Sequence, residues 1–276
     1  MTTDSHQRRA DRIAAGEPAA NGAALDPAAV DGDWISVTRR SYGVSRVRTR
    51  LTGDTLLVCA AGGGEPRPGD WGEAAADGVY ALRIGTGFAF RATFDGAATS
   101  SRLQTNQVHG VLAVHGFHRF TDGSGRRDYF TREFYVPAVG DQPDDDPAVS
   151  DGGFPAALQA GANDPSGLVG RWTVLDPANM NIAALECQLA DGEFTVHAYG
   201  AGADGPEDWG VSGTHLYADS ARPDGPPAFL AAFEPGDRRV HLQIRDYNGI
   251  MVGAQYTEFT DGSGRPGFFT RDCFRR

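Results

Sequence analysis

The feature that most constrains this chain is that it copies itself. Trp34 is followed 37 residues later by Asp70-Trp71-Gly72, and Trp172 is followed 37 residues later by Asp208-Trp209-Gly210. The heptapeptide Phe120 to Arg126 returns letter for letter as Phe259 to Arg265, at an offset of 139, and Thr131-Arg132 returns as Thr270-Arg271. Self-similarity of this length and register is the mark of a duplicated structural unit. The expected organisation is a disordered tail over 1–30, rich in Ala, Gly, Asp and Arg, then a first copy over 33–137. An acidic Pro/Gly linker follows over 138–169, with a short helix near Pro155 to Ala162, and a second copy occupies 170–276.

Each copy reads as β. Arg46 to Leu51, Asp54 to Ala61, Phe88 to Phe94, Val111 to Phe120 and Tyr129 to Val136 alternate or run apolar over strand lengths, separated by Gly-rich breaks. His109-Gly110 holds the place that Asn248-Gly249 holds in the second copy, and Asn-Gly between two strands is the strongest short hairpin signal. The expected fold is all-β, two antiparallel β-barrel domains in tandem.

Each copy also opens with Gly-x-Trp (Gly32-Asp33-Trp34, Gly170-Arg171-Trp172) and closes with an Arg on its last strand, Arg132 or Arg271. This pairing resembles the calycin superfamily of lipocalin-like and avidin-like barrels. The resemblance implies a first-strand Trp beneath an Arg from the chain's end, closing the barrel floor. Arg over an indole face is worth about 0.5–2 kcal/mol on its own physics. The copies also resemble uncharacterised bacterial repeats with Asp-Trp-Gly and Phe-Thr-Asp-Gly-Ser-Gly-Arg patterns, to which no activity attaches.

Composition removes several function classes. All 25 basic residues are Arg, which excludes a Schiff-base or P-loop lysine. A net charge of −11 disfavours nucleic acid and anionic membranes as partners. Cys59, Cys187 and Cys273 form neither a disulfide framework nor a metal motif. No secretion signal or membrane-length apolar run is present, so the expected location is cytoplasmic. There is no Gly-x-Ser-x-Gly elbow, no His-Glu-x-x-His, and no helix after Gly62-Gly63-Gly64 to make a phosphate cradle. No metal and no cofactor are expected. His115 and His118, three apart on a strand, point to opposite faces and do not converge on one ion.

Residues shared by both copies serve the common fold first, whereas residues in one copy are the candidates for chemistry. The shared set holds Trp71 and Trp209, Asp70 and Asp208, Glu133 and Asp272, and the Arg-bearing turns, with Asp70 and Asp208 as candidate partners for Arg132 and Arg271. In the unshared set, His197 and Tyr199 alternate on one strand face where the first copy has Cys59 and Ala61. On that face the pair forms one hydrogen-bond network if it lines a lumen, and is ordinary surface if it faces water. His115 shares the face of Val111, Ala113 and Phe117, a core position or an acid/base. Arg46, Arg48 and Arg50 form either a solvated stripe or an anion site. The charge inversions Arg48/Glu186 and Arg119/Glu258 suggest complementary packing of the two copies.

Two functions follow as expectations. One is a cofactor-independent isomerase, lyase or cyclase acting on a hydrophobic small metabolite, by analogy with tandem barrels of antibiotic and other natural-product biosynthesis. Its catalytic candidates are His197, Tyr199, His115 and Arg119, with Trp71, Trp209, Arg48, Tyr256 and Glu258 for substrate binding. The alternative is a non-catalytic small-molecule or carbohydrate binder with one site per copy at Trp71 and Trp209. A homodimer is left open in either case.

Overall fold

A computed structural model describes residues 30–38, 42–83, 87–138, 154–176, 181–202 and 204–276. The linker's first half and the tail lie outside the described residues. The fold is all-β with a closed barrel and almost no helix. Its strands are β1 Gly32–Ser36, β2 Val44–Thr52, β3 Thr55–Gly62, β4 Gly69–Ala75, β5 Gly78–Leu82, β6 Gly87–Asp95, β7 Thr99–Val108, β8 Val111–Phe120 and β9 Tyr129–Pro137. They continue with β10 Gly170–Val174, β11 Ile182–Ala190, β12 Glu193–Gly202, β13 Gly205–Gly213, β14 His215–Asp219, β15 Ala228–Phe233, β16 Arg238–Tyr247, β17 Ile250–Phe259 and β18 Phe268–Arg275.

The chain forms two compact units whose boundaries differ from those of the copies. Among the described residues, one holds those between 30 and 167 together with 215–229; the other holds those between 168 and 214 and between 230 and 276. In the first, β1 pairs with β2, β2 with β3 and β3 with β4; β5 to β9 pair in succession, and β9 returns to β1. Consecutive peptides carry the wall across: Ala76 N–H donates to Leu56 O at 2.8 Å, extending the β3 ladder, and Asp77 N–H to Arg91 O at 2.7 Å, starting the β6 ladder. In the other unit β10 to β13 pair in succession, β16 to β18 likewise, and β18 returns to β10.

Hairpin turns follow from the residues at their tips. His109 (φ 51°) with Gly110 (φ 77°), Asn248 with Gly249 and Asp191 with Gly192 all place two successive residues at positive φ, as a type I′ turn requires. The repeated Asp-Trp-Gly is a β-bulge. Ala60 faces Gly72 and Ala61 faces Asp70, leaving Trp71 as the extra residue; the register shifts in the same way between His197 and Tyr199. The Asp70 carboxylate accepts the Gly72 N–H at 2.8 Å and Asp208 that of Gly210 at 2.7 Å, which stabilises the glycines at φ 86° and 80°. Asp70 and Asp208 are thus committed to the bulge, where the sequence suggested partners for Arg132 and Arg271.

The other repeated motif is a self-locking turn. Asp122 accepts the Ser124 N–H at 3.0 Å and Arg126 Nη2 at 2.6 Å, while the Arg126 guanidinium lies 3.9 Å over Phe120. Asp261, Ser263, Arg265 and Phe259 repeat this arrangement, with the cation at 3.7 Å. The expected cation over the first-strand Trp is present in the second copy, but it comes from Arg276, 4.8 Å above Trp172, and not from Arg271, which lies over Phe269.

Strand phase is set by which alternate residues pack together. Trp34, Val47, Val58, Trp71, Leu103, Leu112, Val114 and Tyr135 belong to one buried cluster, so Leu112, Val114, Gly116 and His118 face inward along β8. His118 is 1% exposed, with Nδ1 3.0 Å from Ser101 Oγ and Nε2 3.1 Å from Thr131 Oγ1. Its ring stacks on Tyr129 at 4.5 Å and meets Trp71 edge-on at 5.9 Å. Burial holds its pKa down to about 3, so the imidazole is neutral. A Cβ on Gly116 would lie 2.4 Å from His118 Nε2, and one on Gly43 2.7 Å from Thr131 Oγ1. In the second copy Thr257 replaces His118, and Asn181 and Gln255 replace the two glycines. There Asn181 Nδ2 donates to Thr257 Oγ1 at 3.3 Å and Gln255 hydrogen-bonds Asp272. Two different polar fillings thus occupy one interior position.

Two predictions follow. Gly116→Ala costs about 1–3 kcal/mol by overpacking, and His118→Thr in the same chain recovers part of the loss; urea denaturation of the two single variants and the double variant measures the coupling. The folded-state pKa of His118 lies below the unfolded value, so on acidification the unfolded chain takes up a proton that the folded chain refuses. Wild-type stability therefore falls from about pH 6.5 toward pH 3 more steeply than that of His118→Gln, as midpoints across that window will report.

Candidate active site

The buried side chains of β12 are Phe194, Val196 and Ala198, so Thr195, His197 and Tyr199 stand on its outer face. Neighbouring strands bring the remaining groups to the same patch. Pairing sets Glu186 of β11 opposite His197, Asp208 of β13 opposite Tyr199, and Arg171 of β10 opposite Glu186. The bulge turns Asp208 onto this face, and without it the carboxylate would fall one residue out of phase.

The result is a row of hydrogen-bonding groups in contact across three strands. His197 Nε2 lies 2.5 Å from Asp208 Oδ1; His197 Nδ1 lies 3.3 Å from the Tyr199 hydroxyl, which donates to Glu186 Oε2 at 3.2 Å. The two rings stack at 4.4 Å, and the Arg171 guanidinium sits 5.0 Å over the Tyr199 ring. The hydrogen bond from His197 holds the Asp208 carboxyl below its ordinary pKa, so it is ionised and accepts only. Nε2 consequently donates to Asp208; in the neutral ring Nδ1 is then an acceptor, and the single phenol proton of Tyr199 goes either to it or to Glu186. Desolvation, reinforced by Glu186, raises the Tyr199 pKa, so the phenol keeps its proton. One face thus presents a base, His197 Nδ1, and an acid, Tyr199 O–H, side by side. Val211, opposite His197 on β13, is 63% exposed and gives the patch an apolar flank.

The other candidates lie elsewhere. His115 is 2% exposed on the outward side of β8, with Nδ1 3.3 Å from Gln104 O and its ring over Phe130. Arg119 is exposed at the end of β8. Trp71 is buried in the barrel interior under the Arg67 guanidinium at 4.7 Å, whereas Trp209 is half-buried against Phe233. Arg48 belongs to the outer stripe, 3.3 Å from Asp33, which also binds Arg46; Arg50 reaches Glu73 at 3.6 Å. Tyr256 is fully buried against Phe269, and Glu258 lies 3.9 Å from His241. Only His197 and Tyr199 of the catalytic set are brought together. Sequence reasoning missed Asp208 and Glu186 as their partners, although the in-phase strand pairing β11–β12–β13 carries that information once the bulge is recognised.

Among the described residues no group of three or more His, Cys, Asp and Glu is arranged to hold a metal ion, and no helix is long and apolar enough to cross a membrane. Comparison with known protein families, characterised proteins and solved structures finds no match.

The relay makes one spectroscopic prediction. Replacing Glu186 by Gln removes the charge that helps to hold the phenol protonated, so the Tyr199 pKa falls; ultraviolet titration of tyrosinate in wild type and Glu186→Gln, with Tyr199→Phe identifying the signal, measures the change.

Proposed function

We propose that the chain is an acid/base enzyme of the isomerase or lyase type, needing no cofactor, that acts on a small hydrophobic metabolite. The observation that carries this reading is the relay Asp208–His197–Tyr199–Glu186, built on a strand face where the first copy has Cys59, Ala61 and Arg48. A proton shift along a substrate requires one group to remove a proton and another to deliver one, both within hydrogen-bond reach. His197 Nδ1 is the base, oriented by Asp208. Tyr199 is the acid, its phenol kept protonated by burial and by Glu186. The substrate's apolar part rests on Val211. The finer fold reading, two lipocalin-like barrels in tandem, belongs to this proposal, because the shared motifs then maintain each barrel and leave the outer walls free to diverge.

The carbohydrate-binding alternative needs two equivalent aromatic platforms. The two tryptophans are not equivalent, since Trp71 is buried beneath Arg67 and Trp209 is half-buried. That weighs toward the single, copy-specific site.

The test is to incubate the purified protein with a bacterial small-molecule extract in heavy water and follow deuterium incorporation by mass spectrometry. Wild type introduces deuterium at a carbon position of a discrete compound. His197→Ala lowers the rate about 10²–10⁴-fold, with unchanged circular dichroism and melting. Incorporation that survives in both His197→Ala and Tyr199→Phe contradicts the proposal.

A further inference from the structure

The outer face that carries His197 and Tyr199 extends onto β10, where Arg171 reaches the pair. Register runs straight across four strands of one unit: Arg171 of β10 faces Glu186 of β11, Glu186 faces His197 of β12, and His197 faces Val211 of β13. Neighbouring strands lie about 4.8 Å apart, so the row is short enough for one small molecule to lie across it.

Arg171 is exposed, and its guanidinium lies 5.0 Å over the Tyr199 ring. Among the described residues no carboxylate lies within ion-pair distance of it; Glu186, its neighbour in register, faces the Tyr199 hydroxyl at 3.2 Å. The outward arginines of the first copy, Arg46, Arg48 and Arg50, are by contrast paired with Asp33 and Glu73. The first copy has Asp33 at the position of Arg171, so this cation is as specific to the second copy as His197 and Tyr199 are. A guanidinium presents its donors in a fixed fork that matches a carboxylate. Stacking on Tyr199 holds that fork in place without using its N–H groups.

The order of the groups gives the chemistry of the ligand. Arg171 touches Tyr199, Tyr199 touches His197, and beyond His197 comes Val211. Along the face this is a cation, an acid, a base and an apolar flank. A molecule that meets all four has a carboxylate, a carbonyl oxygen, a carbon-bound hydrogen and an apolar tail in the same order. An α-keto acid with a hydrophobic side chain has that order. In a β-keto acid the carbon-bound hydrogen lies between the carboxylate and the ketone, which inverts acid and base.

Resting on the acid/base reading above, we propose that the site takes α-keto acids with apolar side chains, that Arg171 selects their carboxylate, and that the reaction interconverts keto and enol forms. His197 Nδ1 takes the proton from the carbon beside the ketone. The C–H electron pair becomes the carbon–carbon double bond, and the carbonyl π pair takes the Tyr199 proton to give the enol hydroxyl. His197 is left with a second proton and Tyr199 with none; the 3.3 Å contact between Nδ1 and the phenol oxygen returns the proton and resets the pair.

The test follows exchange of methylene hydrogens for deuterium by proton NMR, with the full chain in heavy water. Its probes are α-ketoisocaproate and isobutyl methyl ketone, which has a methyl group in place of the carboxylate. Wild type is expected to exchange both faster than buffer, with a KM for the acid about tenfold below that for the ketone, the value of one charge-assisted pair. That ratio falls toward one in Arg171→Gln and is partly restored in Arg171→Lys. A ratio near one in wild type, or one that Arg171→Gln leaves intact, overturns the role of Arg171 and leaves the proton shift standing. Exchange no faster than buffer for both probes in wild type overturns the α-keto acid assignment. Exchange that persists in His197→Ala overturns the acid/base reading itself.

Discussion

A wall made from a meander of strands turns every second side chain toward an enclosed interior, and that interior has to be filled without voids or unpaired polar atoms. Most of what the two copies share answers this requirement. The Asp-Trp-Gly bulge adds one residue to a strand, and in the first copy it delivers Trp71 into the buried cluster, where the indole N–H donates to Arg67 O at 2.8 Å. Deeper along the same interior the copies solve one position in two ways. A histidine needs two glycines around it in the first copy, whereas a threonine accompanies an asparagine and a glutamine in the second. Neither filling can drift residue by residue, because each side chain sets the space left for the others.

The outer faces escape that constraint. On β2 the outward residues are arginines neutralised by Asp33 and Glu73, where β11 carries Glu186; on β12 the outer face carries His197 and Tyr199, where β3 has Cys59 and Ala61. The Asp of the bulge is common to both copies because the turn needs it. In the second copy the same carboxylate also accepts from a histidine, so a structural residue gains a second partner with no change at its own position. Divergence on solvent faces is a direct physical route to a single polar cluster in a chain whose sequence repeats itself.

The local features of the fold were legible in the sequence, and the non-local ones were not. Tip residues such as His109-Gly110 and Asn248-Gly249 announce their hairpins, and the alternation in Arg46 to Leu51 correctly separates a charged face from a buried one. Phase was hidden for β8, where burial on both sides makes His115 and His118 look alike, and it is His118 that points inward. The additional pairing of β14 with β9 was hidden as well, because a short parallel contact leaves no periodicity of its own. At the site, the two residues on one strand were legible. Their partners on adjacent strands depend on register through a bulge, which alternation alone does not reveal.

The claim on which the functional account rests is that His197 is held between Asp208 and Tyr199 with its proton on Nε2. Long-range proton–nitrogen correlation NMR of the histidine ring, at mildly alkaline pH and assigned with a His197→Gln variant, measures this directly. The account predicts a protonated Nε2 and a lone-pair Nδ1, with the preference weakened in Asp208→Asn. A ring protonated at Nδ1, or one averaging both tautomers as a free surface histidine does, would contradict it.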